Sequence, residues 1–186
     1  MTEAEPAWFQ TQESRTAYEG FSTVRVDTVV TPDGSAVERE IVEHDDAVAI
    51  VPLTEAGEVL LLKQYRQPVQ AYLLELPAGT MDVDGERPEQ TAQRELQEEV
   101  HHRAERFEWL TTFHNSAGWS TERTHVFLGT GLSLAPPPDA FEAKAEEADM
   151  EVVTIPIDAA LNLVRRGEIT DAKTVIGLLL AEAHRR

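Results

Sequence analysis

The chain has 186 residues, 41% of them hydrophobic, and sets 34 acidic side chains against 16 basic ones, for a formal net charge of −18. That length suits one domain with a sizeable core, and that charge excludes general binding to nucleic acid or anionic membranes through a basic surface. Cysteine is absent, which excludes disulfides, thiolate metal sites and a cysteine nucleophile.

The first residues, MTEAEPAW, lack a basic region followed by an apolar run, and no apolar run approaches membrane-spanning length. The expectation is a cytoplasmic protein. Residues 1–17 are polar with little periodicity and read as an irregular arm. Residues 21–31, FSTVRVDTVVT, alternate as a strand should. Pro32-Asp33-Gly34-Ser35 signals a turn, and residues 36–44 read as the returning strand. Further strands are expected at 47–53, 59–65 and 72–76. Strands near 107–114 and 124–130 flank a loop of small and polar residues, Asn115 to Glu122. Residues 131–149 form a long connection with three prolines and an acidic run from Glu142 to Asp149, the kind of loop that is often functional in a compact domain. A last strand at 151–155 precedes helices at about 157–166 and 172–184. No internal repeat is visible.

The stretch from Glu75 to His102 organises the rest. Leu76-Pro77-Ala78-Gly79 ends a strand in a turn, and Pro88 suits the first turn of a helix, where its missing N–H has no intrahelical partner. Nothing breaks that helix before Val100. Residues three and four apart share a helix face, so Glu95, Glu98 and Glu99 project to one side, while Leu96 and Val100 can anchor the helix to a core. Carboxylates this close repel unless a cation sits among them, and a hard divalent ion such as Mg²⁺ is the natural candidate. The competing reading is a solvated acidic face.

This stretch resembles the Nudix box, G-x5-E-x7-R-E-U-x-E-E-x-G-U, with U a bulky aliphatic. Gly79, Glu86, Arg94, Glu95, Leu96, Glu98 and Glu99 carry the match. Six residues instead of five separate Gly79 from Glu86, and His101 and His102 replace the terminal glycine and aliphatic. From about Tyr18 onward the chain is similar to the ADP-ribose pyrophosphatase branch of the family, through Arg39-Glu40-Ile41, Gln64-Tyr65-Arg66, Leu74 to Gly79, Ser116 to Glu122 and Asp171-Ala172-Lys173-Thr174. Ala117 stands where that branch has a proline.

The resemblance implies an α/β fold, a Nudix-type α/β/α sandwich with a central mixed sheet and an N-terminal antiparallel strand extension. It implies one domain over 1–186, with the arm and strands of 1–44 reaching across a homodimer. It implies Mg²⁺- or Mn²⁺-dependent hydrolysis of ADP-ribose to AMP and ribose 5-phosphate. The alternatives are another nucleoside diphosphate sugar, a dinucleoside polyphosphate, or a non-catalytic module that binds ADP-ribose. By the same resemblance, the metal ligands are the Ala78 carbonyl, Glu95 and Glu99, with Glu98 ligating or bridging and so counted as catalytic. Glu86 and Arg94 form a structural ion pair. Arg66 contacts phosphate. Arg39 and Glu40 contact adenine or phosphate, and Phe21 stacks on adenine. Gly79, Ser116, Gly118 and Glu122 line the substrate pocket, and Trp119 either joins them or packs. The catalytic base is Glu147 or Glu146 on the acidic loop.

Overall fold

The computed structural model describes residues 8–138 and 148–185. Among these, contacts gather into two compact units. One takes the residues up to Asp45 together with His114–Glu122, and the other takes Asp46–Phe113 and the residues from Arg123 onward.

The first unit is an antiparallel sheet of β1 (Gln10–Glu19), β2 (Thr23–Val30) and β3 (Ala36–Glu43), in that order. Strand β2 buries Val26 and Asp27, and the turn before β3 is closed by Asp33, which accepts from Thr31 Oγ1 and the Ser35 N–H. Strand β1 corrects the sequence expectation of an irregular arm. It pairs with β2 along its length, with two register shifts, yet every one of its residues is exposed. Backbone hydrogen bonds hold it without an apolar face, so it lacks the alternation by which strands are recognised. The loop 114–122 is stitched to β3: the Val42 N–H donates to the Trp119 carbonyl at 2.8 Å, and the Thr121 N–H to the Val42 carbonyl at 3.0 Å.

The second unit is layered. A mixed sheet runs in the order β7 (Ala78–Thr80), β4 (Ala47–Pro52), β10 (Arg123–Thr130), β9 (Arg106–His114), with β10 parallel to β4 and β7 antiparallel to it. An antiparallel sheet runs β12 (Glu151–Pro156), β5 (Glu58–Arg66), β6 (Ala71–Glu75). Two short strands, β8 (His102–Arg103) and β11 (Ser133–Leu134), pair with each other. Alternation along β4 and β5 sends Val48, Ile50, Leu60 and Leu62 to one side, where they pack with Ala92, Leu96 and Val100 of α1 (Pro88–Val100). Val51, Val59 and Leu61 go to the other side, against α2 (Ile157–Arg165) and α3 (Ala172–Arg185). Helix on one face and helices on the other make the α/β/α sandwich expected from the sequence. Among the described residues no helix is long and apolar enough to cross a membrane.

Helix α1 begins as its sequence demands. Pro88 takes the first position, and the Gln90 side chain reaches back to accept from the Arg87 N–H at 3.1 Å, supplying a partner to one of the helix-start donors. Its end is less regular. His101 caps it at φ 56°, ψ 39°, a left-handed conformation usually given to glycine.

Candidate active site

Strand β7 crosses the start of the site so closely that a Cβ on Gly79 would overlap the Glu95 carboxyl group. Gly79 therefore acts here by leaving room for a carboxylate, and the absent side chain is what lets β7 meet α1. The neighbouring Ala78 N–H donates to Glu99 Oε2 at 2.9 Å. Ala78 and Glu99 are thus brought together, through the Ala78 N–H.

One cation serves the acidic face. Arg94 Nη1 donates to Glu95 Oε1 at 2.5 Å and to Glu98 Oε2 at 3.2 Å, its Nε to Glu86 Oε2 at 3.5 Å, and its Nη2 to the Thr80 carbonyl at 3.3 Å. The Glu86–Arg94 pair is present, and Thr91 Oγ1 also donates to Glu86 at 3.0 Å. The sequence reading missed that Arg94 also spans Glu95 and Glu98, although the four-residue spacing to Glu98 makes that contact available.

Charge is not balanced at this face. Burial, reinforced by Glu98 and opposed by Arg94, pushes the Glu95 carboxyl up to about 7. Burial and the nearby Glu95 push Glu99 well above the usual carboxylate range, against the Ala78 N–H and the more distant Arg66 and Lys173. No cation hydrogen-bonds to Glu99 among the described residues. A donor set of buried oxygens with too little positive charge fits a hard divalent cation. As they stand, no three acidic or imidazole side chains among the described residues are grouped closely enough to hold an ion. Arg94 lies between two of the three, so loading requires its guanidinium to yield.

Arg66, at the end of β5, is held by its fork. Nε and Nη2 donate to the two oxygens of Glu75, each at 2.8 Å. Glu75 is 1% exposed. It also accepts from Lys173 Nζ at 2.5 Å, and Lys173 pairs with Asp171 at 2.8 Å. Arg66 and Lys173 hold the Glu75 carboxyl below its ordinary value in spite of its burial. Asp171 in turn starts α3, accepting from the Thr174 N–H at 2.9 Å, and Thr174 Oγ1 accepts from the Leu76 N–H at 2.8 Å. The sequence reading noted Asp171 to Thr174 only as part of the resemblance. An acid within the apolar run Leu74-Glu75-Leu76 was the available signal for the network.

The other expected substrate residues lie in the first unit. A cavity of about 430 Å³ there is lined by Arg25, Arg39, Glu40 and Ile41 and by Ala117 to Thr121 of the loop. Arg39, Glu40 and Gly118 are therefore brought together, and Trp119, 57% exposed, joins them. Ser116 and Glu122 are not in the lining. They shape the loop instead, the Ser116 carbonyl accepting from the Trp119 and Ser120 N–H groups and the Glu122 N–H donating to Ser120 Oγ. Arg25 was not foreseen; it donates to buried Asp27 and pairs with Glu43 at 2.8 Å. Phe21 is 89% exposed and meets the His44 ring edge-on at 5.4 Å, so it is not a core aromatic. Glu146 and Glu147 lie outside the described residues.

A model of the NUDIX domain matches residues 43–175. The chain is 42% identical over 176 residues to an ADP-ribose pyrophosphatase of Mycobacterium tuberculosis, spanning 94% of this chain and 84% of that one. It is 38% identical over 153 residues to an ADP-ribose pyrophosphatase of Bacillus subtilis, spanning 82% and 80%. A crystal structure described as an ADP compounds hydrolase superposes with a TM-score of 0.83, covering 97% of this chain and 96% of that one. At 20% identity that likeness bears on the fold alone. With a carboxylate-bearing helix set against a glycine strand in an α/β/α sandwich, and with these matches along its length, the chain belongs to the Nudix family.

Proposed function

We propose that the protein hydrolyses the pyrophosphate bond of ADP-ribose, giving AMP and ribose 5-phosphate, with Mg²⁺ or Mn²⁺ bound at the acidic face of α1. The observation that carries this reading is the placement of Glu95 and Glu99 against the β7 backbone, where Gly79 leaves room for the Glu95 carboxyl and the Ala78 N–H donates to Glu99. The names of the two pyrophosphatase relatives supply the substrate.

Glu95, Glu99 and the Ala78 carbonyl would hold the cation, with Glu98 ligating or bridging. When bound, a divalent ion neutralises phosphate charge and makes a water more acidic. This chain's own residues do the rest. Arg66 offers a guanidinium to the phosphate oxygens on which charge develops. Arg39, Glu40 and Gly118, around the first unit's cavity, take part of the nucleotide, and Phe21 offers an exposed ring for stacking. Ser116 and Glu122 act by shaping that loop. Glu147 or Glu146 takes the proton of the attacking water. A new oxygen–phosphorus bond forms, and the bond from that phosphorus to the bridging oxygen breaks.

The strands of 1–44 would serve a homodimer, and β1, exposed along its length, is available for it. The proposed location is the cytoplasm. Incubation with ADP-ribose, GDP-mannose and a dinucleoside polyphosphate under Mg²⁺ tests the assignment. AMP and ribose 5-phosphate should appear, with the highest kcat/KM for ADP-ribose. Faster turnover of either competitor would contradict the substrate, and tight ADP-ribose binding without AMP release would contradict the reaction.

A further inference from the structure

We propose that Lys173 is a positioning residue for Arg66, acting through Glu75. The proposal rests on Arg66 as the phosphate-contacting group in the reaction above. Arg66 and Glu75 are carried by paired strands, Arg66 opposite Ala71 and Glu75 opposite Leu62. The register places both on the side of the sheet that packs against α1, and Lys173 enters from the first turn of α3. Three elements of the second unit therefore meet at one carboxylate.

Both Glu75 oxygens are occupied. Oε1 accepts from Arg66 Nε, and Oε2 accepts from Arg66 Nη2 and Lys173 Nζ. This seats the guanidinium by its Nε–Nη2 edge. Among the described residues no hydrogen bond uses Arg66 Nη1, and the Arg66 side chain is 40% exposed where Glu75 is 2% and Lys173 17%. The open edge is the part of the fork that can meet a phosphate.

Charge gives Lys173 its second effect. Arg66 and Lys173 balance Glu75 and Asp171. Without Lys173 the two carboxylates of the cluster are left with Arg66 as their cation. A buried carboxylate left with a single cationic partner would also draw more tightly on Arg66. Lys173 touches no reacting atom in this account. It keeps Glu75 from claiming the whole charge of Arg66.

The test is a double-mutant cycle in the full-length protein with ADP-ribose and saturating Mg²⁺: K173M, K173R, R66A and R66A/K173M, with thermal unfolding recorded for each. In K173M, KM is expected to rise about tenfold or more, as for one lost charge-assisted contact to phosphate, and kcat is expected to fall less. K173R should recover most of the loss. In the R66A background K173M should add little, because its effect runs through the residue already removed. Multiplicative losses in the double variant would overturn the proposal, as would a K173M enzyme with wild-type KM. Should K173M fail to fold, K173Q replaces it, keeping a donor for Glu75 and removing the charge, with the same dependence on Arg66 expected. Loss of fold in both would assign the network to stability and overturn the proposal. Failure of the underlying reaction is separate and visible at once, as a wild-type protein that releases no AMP.

Discussion

Replacing Glu95 with Gln is expected to abolish turnover and, in the metal-free protein, to raise stability. Glu95 is 8% exposed, and its carboxyl rises from 4.5 to about 7 in the folded chain, chiefly through burial. The folded state then holds the proton more tightly than the unfolded one. As pH climbs past 4.5 the unfolded chain ionises first, so the fold loses relative stability. The loss grows until pH passes about 7 and is constant above it. At 1.36 kcal/mol per pH unit, that interval amounts to about 3 kcal/mol at pH 8. Gln has no proton to lose and can still accept from Arg94. It must find a partner for its amide NH₂, so about 3 kcal/mol is an upper bound on the gain. The assay is urea unfolding in EDTA, wild type against E95Q, at pH 8 and pH 4.5. The gain should be present at pH 8 and nearly gone at pH 4.5. Adding Mg²⁺ at pH 8 should then stabilise the wild type, by about 2.7 kcal/mol at a hundredfold excess over Kd, and leave E95Q almost unmoved. An E95Q protein less stable than wild type at pH 8, or one whose gain is equal at both pH values, would refute the reasoning.

Three further outcomes follow from the geometry. In G79A the added methyl meets the Glu95 carboxyl, so kcat/KM at saturating Mg²⁺ should fall at least about tenfold, with about 1–3 kcal/mol lost in urea unfolding from overpacking. H101G relieves a left-handed residue at the end of α1 and should stabilise by about 1 kcal/mol, read as a rise in Tm of about 2–4 °C for a chain of this size. G177A places a Cβ 2.6 Å from Leu76 Cδ1 and 3.0 Å from Val51 Cγ2. Denaturant melts should show a net loss of about 1–2 kcal/mol, the overpacking outweighing the roughly 1 kcal/mol gained from helix propensity.

What was legible in the sequence was whatever periodicity or backbone chemistry marks locally. Helix α1 is bounded by Pro88 and Val100, where the sequence places it, because a proline start and a break in pattern are local signals. The buried strands β4 and β5 were visible as apolar runs and β2 as an alternating one. Strand β1 was not, because its ten residues are all exposed and its pairing with β2 rests on main-chain bonds, which leave no apolar alternation to read. At the site, the spacing of Glu95, Glu98 and Glu99 was readable. The insertion of Arg94 between two of them was not read, since it depends on a side-chain direction and on β7 passing beside α1. Arg66 shows the same limit. The family resemblance gave Arg66 its phosphate role, and its partner Glu75 sits on the adjacent strand. The contact to Lys173, 98 residues from Glu75, exists only once α3 has folded against the sheet.

The most direct measurement is Mn²⁺ binding followed by electron paramagnetic resonance of the free ion, for wild type and E99Q at neutral pH. The substituted amide oxygen can still accept from the Ala78 N–H, so the variant should fold as the wild type does while losing the charge that holds the cation. The wild type should remove the free-ion signal at protein concentrations where E99Q leaves it standing, and AMP release from ADP-ribose should vanish with it. Equal Mn²⁺ affinity in two equally folded proteins would contradict the acidic face of α1 as the metal site, and with it the account of how the pyrophosphate is split.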